Sequence, residues 1–193
     1  YVLSEEEIAV TIGKVDEVVE IELVNYFIKG NIALTKVDED YPDNKLSGAV
    51  FEVYSDTNGD GKLDKDDTLL GEMKELDGGV YQMSELRYGK YLVKETKAPT
   101  GFVLDENVYS VSVEENGKTY TVENKAGVGF INAAQKGSLK IVKTSSDGKV
   151  EGFSFRVTGV DYDQTFKTDK NGEIVIEGMR IGDYTVSEVS DKA

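Results

Sequence analysis

The internal repetition of this chain constrains its fold more than any other feature. The run Asn25-Tyr26-Phe27-Ile28-Lys29-Gly30-Asn31-Ile32-Ala33-Leu34-Thr35-Lys36 returns as Asn132-Ala133-Ala134-Gln135-Lys136-Gly137-Ser138-Leu139-Lys140-Ile141-Val142-Lys143. In both copies an asparagine precedes a Lys-Gly step, and a strand-like stretch ends on a lysine eleven positions later. Tyr91-Leu92-Val93-Lys94-Glu95 is matched by Tyr184-Thr185-Val186-Ser187-Glu188, and Phe102-Val103-Leu104-Asp105-Glu106 by Tyr1-Val2-Leu3-Ser4-Glu5. Repetition of this kind means that one structural unit is used more than once. The boundaries fall near Gly30 and Gly137, so residues 30–133 hold one complete unit. Residues 137–193 hold the front of a second, and residues 1–28 the back of a unit. Glu95 precedes Phe102 by seven positions and Glu188 precedes Ala193 by five. A link of about one residue from Ala193 to Tyr1 would restore the spacing of the complete unit, so residues 1–28 are expected to complete 137–193, as in a circular permutant or by pairing between chains; a window cut from a repeating array is the alternative.

Each unit reads as β-structure. Residues 8–12, 19–23, 108–113 and 120–122 alternate apolar and polar side chains with period two, the mark of half-buried strands. Asn116-Gly117, Asp147-Gly148 and Asn171-Gly172 supply turn signals between runs. No stretch keeps a helical period over three turns. The expected fold is all-β, built of tandem antiparallel β-sandwiches. At 193 residues, with 39% hydrophobic residues including 11 Tyr and 7 Phe, the chain can fill such cores. Its formal net charge of −15 repels nucleic acid and anionic membrane surfaces. No apolar run approaches spanning length, so membrane insertion is not expected. The absence of His and Cys excludes histidine-based triads, thiol nucleophiles and Cys/His zinc sites.

Within the strands, polar residues occupy the core register. Alternation puts Lys36 on the face of Ile32 and Leu34, and Lys143 on that of Leu139 and Ile141. Glu95 follows Tyr91 and Val93, as Glu188 follows Tyr184 and Val186; Asn132 and Asn25 end similar apolar faces. Strand-end snorkelling or a buried Lys–Glu ion pair would account for any single position, but recurrence of all three weakens both readings. Apolar surroundings lower the pKa of a lysine and raise that of a glutamic acid. A neutral amine is a nucleophile, and a protonated carboxyl can polarise an amide carbonyl. Attack on that carbonyl with loss of ammonia leaves a Lys–Asn isopeptide bond, accelerated by intramolecular proximity.

Lys36-Val37-Asp38, Leu46-Ser47-Gly48-Ala49-Val50-Phe51-Glu52-Val53 and Glu95-Thr96-Lys97-Ala98-Pro99-Thr100-Gly101-Phe102 together resemble the collagen-adhesin B-type (CnaB) domain of Gram-positive surface adhesins and pilin shafts. The resemblance implies a prealbumin-like, Ig-like sandwich with an autocatalytic isopeptide bond between its first and last strands. It implies Lys36 as nucleophile, Asn132 as acceptor and Glu95 as catalyst. In the second unit Lys143 and Glu188 match, but Val189-Ser190-Asp191-Lys192-Ala193 stands where the glutamate motif would continue, and Asn25 is the acceptor only if residues 1–28 pair with this unit. Asn124 is a rival acceptor for Lys36; it lacks the spacing to the next lysine that Asn25 and Asn132 share.

Residues 56–67 fit a Ca²⁺ loop, with Asp56, Asn58, Asp60, the Lys62 carbonyl, Asp64 and Asp67 as ligands and Gly61 at the sharp turn. Aspartate in the last position is short for bidentate binding, and a solvated turn is the plain alternative. No other cofactor is required. The expected role is a structural stalk or shaft module at the cell surface whose partners are neighbouring repeat domains. Its one reaction is a single-turnover crosslink, so it is not an enzyme. The alternative is an adhesin domain that recognises a host protein.

Overall fold

A computed structural model describes residues 1–190; residues 191–193, across which the spacing of the second unit was counted, lie outside the described residues. The chain forms two compact units. The first comprises Tyr1–Thr100 and Leu104–Asn132; the second comprises Gly101–Val103 and the residues from Ala133 onward.

In the first unit, strands β1 (Lys29–Asp38), β4 (Lys74–Asp77), β5 (Val80–Arg87), β8 (Thr119–Thr121) and β9 (Phe130–Asn132) form one sheet. Strands β2 (Val50–Ser55), β3 (Thr68–Glu72), β6 (Gly89–Lys97) and β7 (Val108–Val113) form the other, in the order β3-β2-β6-β7. The inward faces bury Ile32, Leu34 and Tyr81 from one sheet against Phe51, Val53, Tyr91, Val93 and Val113 from the other. Period-two alternation thus creates the sandwich core, because one face of each sheet must be removed from water.

One departure from the antiparallel expectation bears on the site. Both β8 and β9 run parallel to β1, β8 along Asn31–Ala33 and β9 along Lys36–Asp38. Parallel neighbours require a crossover, which here passes through the opposite sheet. The first and last strands therefore lie side by side. Gly129 permits this approach: its φ is +133°, and a Cβ there would stand 2.8 Å from the Thr35 carbonyl oxygen.

The second unit repeats the arrangement with β10 (Lys136–Val142), β11 (Ser154–Gly159), β12 (Tyr162–Lys167), β13 (Glu173–Arg180) and β14 (Tyr184–Val189). β10 pairs with β13 as β1 pairs with β5, with the same register shift one residue past the shared glycine (Gly30/Ile32 and Gly137/Leu139). β11 lies between β12 and β14, as β2 lies between β3 and β6. Phe155, Val157, Ile174, Ile176 and Met179 form its core.

Residues 1–28 differ from the sequence expectation. The alternating runs 8–12 and 19–23 form no strand ladder; the segment closes through a Val2–Tyr26 bridge and Tyr1 stacked on Phe27. Ile12 and Leu23 are exposed, and so is Asn25, which was expected to face a core. Alternation prepares a strand to lie on a sheet, but without cross-strand partners it does not hold one.

Gly129→Ala should lower stability by about 1–3 kcal/mol through backbone strain and the clash with Thr35. Urea unfolding checks this: the midpoint should fall with an unchanged slope. An unshifted midpoint would show that β9 does not pass so close to β1.

Candidate functional site

Lys36, Glu95 and Asn132 come from three strands and meet in the core of the first unit. Alternation along β1, β6 and β9 turns each inward, and their relative exposures are 0%, 0% and 3%. The Lys36 Nζ lies 2.5 Å from Asn132 Oδ1 and 3.6 Å from Glu95 Oε1. It also donates to the Phe130 carbonyl at 3.2 Å and sits 4.7 Å from the centroid of the Phe130 ring. Asn132 Nδ2 donates to both Glu95 oxygens at 3.0 Å. The Asp105 backbone N–H donates to Glu95 Oε2 at 2.8 Å. Phe51 and Tyr109 meet the Phe130 ring edge-on at 5.0 and 5.1 Å, which closes an aromatic wall around the amine.

Burial pushes the Lys36 pKa down to about 8, although the Glu95 carboxylate, and Asp105 beyond it, pull the other way. Desolvation of an ammonium outweighs these attractions here. The orientation of the Asn132 amide differs from the sequence-based picture. Glu95 was expected to polarise the carbonyl, but its carboxylate faces the amide nitrogen, while the lysine faces the oxygen.

Asn124, the rival acceptor, has its side chain committed elsewhere. Its Oδ1 accepts from the Ile131 N–H at 2.6 Å, and its Nδ2 donates to the Ile131 carbonyl and to Asp105 Oδ2, both at 2.9 Å. Sequence reasoning missed Asp105 and this use of Asn124, because both act through backbone groups that side-chain patterns do not reveal.

In the second unit Lys143 Nζ lies 2.9 Å from Glu188 and 4.8 Å from the Phe153 ring centroid. This pair is more open, with side-chain exposures of 20% and 45%.

The 56–67 loop is tied to its own backbone. Asp56 accepts from the Gly59 and Gly61 N–H groups, Asn58 Oδ1 from Asp60, and Asp60 from Lys62. Asp67 accepts from Thr57 and Asp64, while Asn58 Nδ2 reaches Asp64. Among the described residues, no group of three or more acidic side chains gathers in a metal-holding arrangement.

The family model of the SpaA prealbumin-like fold domain matches residues 30–126 and 137–193. Among solved structures, the Bacillus anthracis TIE protein is 26% identical with a TM-score of 0.65, covering 84% of this chain and 29% of that one. The minor pilin GBS52 of Streptococcus agalactiae is 28% identical with a TM-score of 0.41, covering 56% and 46%. The shaft pilin SpaA of Lactobacillus rhamnosus GG is 17% identical with a TM-score of 0.43, covering 84% and 89%. The chain thus spans under a third of the TIE structure it matches. A search of curated proteins finds no match. No helix among the described residues is long and apolar enough to cross a membrane.

The depressed Lys36 pKa predicts a pH dependence in Asn132→Ala, where the amine cannot be acylated. Between pH 8 and about 10 the unfolded chain holds a proton on this lysine that the folded chain has released. Stability should therefore rise with pH across that window, by on the order of 2–3 kcal/mol. The reference is Asn132→Ala combined with Lys36→Met, which removes the titrating amine. Identical urea-unfolding profiles for the two would refute the depressed pKa.

Proposed function

Because this chain belongs to the SpaA prealbumin-like fold domain family, we propose that it is a structural stalk or shaft module of a bacterial surface adhesin or pilin. In this reading a self-formed Lys36–Asn132 isopeptide bond holds the first unit closed. The observation that carries the chemistry is the contact of one amine, one amide and one carboxylate at zero to three per cent exposure. A merely structural ion pair needs no amide carbonyl against the amine.

The geometry supports the following step. At pH 7 about a tenth of a lysine with this pKa is neutral. The lone pair on Nζ attacks Asn132 Cγ, the Nζ–Cγ bond forms and the Cγ–Nδ2 bond breaks. Glu95 stands 3.6 Å from Nζ and 3.0 Å from Nδ2, a position suited to taking the proton from the attacking nitrogen and passing it to the departing one. Nδ2 leaves as ammonia, so the net change is one amide exchanged for another. Fixed placement inside a packed core supplies the effective molarity, and the aromatic wall excludes water that would compete for the amide. The reaction turns over once.

The closed loop spans a sequence separation of 96 residues. By analogy with a disulfide of that span, it should stabilise the unit by roughly 4–5 kcal/mol. In the second unit, Lys143 and Glu188 are proposed to act on Asn25, carried by the same chain or another copy. Placement outside the cell, next to further repeat domains, belongs to the same proposal.

Intact-protein mass spectrometry should show the loss of one ammonia for each bond formed, and tandem spectra should join the Lys36 and Asn132 peptides. Glu95→Ala should keep the full mass of the first unit while the domain still folds. A wild-type chain with no mass loss would end the crosslink reading.

We also propose the 56–67 loop as a weak Ca²⁺ site, supported by its ligand order alone. Each carboxylate oxygen of Asp56, Asp60 and Asp67 that accepts a backbone N–H keeps a further lone pair for a cation. Calorimetry should give a Kd on the order of 0.1–1 mM, lost in Asp60→Ala; no heat at several times that concentration removes the site.

A further inference from the structure

The crosslink reading leaves open what holds Asn132 against Lys36. β9 is only three residues long, and its pairing with β1 covers Lys36–Asp38 alone. Such a short strand has little ladder to fix its register. Its free flank is occupied by the Asn124 side chain. The amide of Asn124 imitates a neighbouring strand, accepting from the Ile131 N–H at 2.6 Å and donating to the Ile131 carbonyl at 2.9 Å. Both polar groups of the residue preceding Asn132 are thereby fixed.

Asn124 is in turn held by Asp105. Its second N–H donates to Asp105 Oδ2 at 2.9 Å, an oxygen that also accepts from the Tyr109 hydroxyl at 2.7 Å. Asp105 Oδ1 accepts from the Asn107 backbone and side-chain nitrogens at 2.9 and 2.7 Å. Partial burial works against the Asp105 carboxylate, but these donors outweigh it and keep its pKa below the usual range. An ionised Asp105 can only accept, so it fixes which end of the Asn124 amide points toward it. The backbone N–H of Asp105 meanwhile donates to Glu95 at 2.8 Å. One residue thus holds both the catalyst and the clamp on the acceptor strand.

Resting on the crosslink reading, the geometry points to Asn124 and Asp105 as positioning residues that set Asn132 and Glu95 in register with Lys36. Neither touches a reacting atom of Lys36 or Asn132 with its side chain; Asp105 acts through its N–H on Glu95 and its carboxylate on Asn124. Asn124 has three hydrogen-bonding functions in use, two donors and one acceptor. Replacement by aspartate keeps its shape and removes both donors. It also sets two carboxylates against each other.

The test starts from chain recovered unfolded in urea from inclusion bodies, its intact mass first showing that no ammonia has yet been lost; on dilution of the urea the rate of ammonia loss is read by intact mass, with tyrosine fluorescence reporting folding separately. Asn124→Ala should slow the loss roughly ten- to hundredfold, as misplacement of reacting groups does, while the fluorescence returns to its native value. Asn124→Asp should be slower still. Asn124→Asp combined with Asp105→Asn restores a donor–acceptor pair between the two positions and should recover part of the rate. A purely structural role would not produce that recovery.

Should Asn124→Ala fail to fold, Asp105→Asn serves alone, since it keeps shape and the N–H to Glu95; it should also slow the loss about tenfold. Wild-type rates in the folded variants would overturn the positioning role and leave the crosslink intact. A wild-type chain that never loses ammonia would overturn both.

Discussion

Everything in the first unit depends on burying an amine. A lysine with no exposed surface is tolerable only if its charge is paired or given up, since the desolvation of an unpaired ammonium costs several kcal/mol. Here both occur in part: Glu95 pairs with Lys36, yet burial still depresses the lysine's pKa to about 8. The three polar groups come from β1 and β9 of one sheet and β6 of the other. They meet only when the two sheets have packed, so the amine becomes dry and aimed in the same event that completes the fold. Folding would thereby gate the proposed crosslink, since the unfolded chain keeps an ordinary, protonated lysine.

The two units show which part of the arrangement dries the amine. Lys36 and Lys143 occupy corresponding positions on β1 and β10, and each has its glutamate and an aromatic ring nearby. They differ in exposure, 0% for the Lys36 side chain against 20% for Lys143. Phe130, fully buried against Lys36, is the first residue of β9, two positions before Asn132. The strand that brings Asn132 therefore also brings the ring that covers the Lys36 amine. Without such a strand the pair is a partly exposed ion pair, whose worth to stability is small.

Much of this was legible in the residues. Side-chain alternation placed Lys36, Glu95 and Asn132 inward, because in a strand the facing follows from position alone. The repeated Lys-Gly step lies at the start of β1 and β10, where both strands carry the same register shift. Three things were not legible. The parallel course of β8 and β9 along β1 depends on which edge a returning chain reaches, and local periodicity carries no information about that. Alternation in residues 8–12 and 19–23 indicated strand potential, but a ladder also needs an edge to lie on. The Asn124 side chain satisfies the backbone of Ile131 and is held by Asp105, a use that no pattern of residue types marks; in the sequence it stood only as a rival acceptor that the repeat spacing disfavoured.

The parallel neighbours also determine how the unit bears load. Tension entering at Lys29 and leaving at Asn132 pulls the start of β1 against the end of β9, and parallel strands loaded at opposite ends are sheared along their length. Only three residue pairs join β9 to β1, so hydrogen bonds alone would resist poorly. The proposed bond lies at Lys36, at the first of those pairs, and connects directly to the last residue of β9. Load would then run along β1 from Lys29 to Lys36 and cross to Asn132 through a covalent link. The chain between them, including β2 through β8 and the 56–67 loop, would lie outside the path of force. Its strands could then fray without lengthening the module, and the sheet that holds Glu95 would be needed to make the bond but not to carry the load.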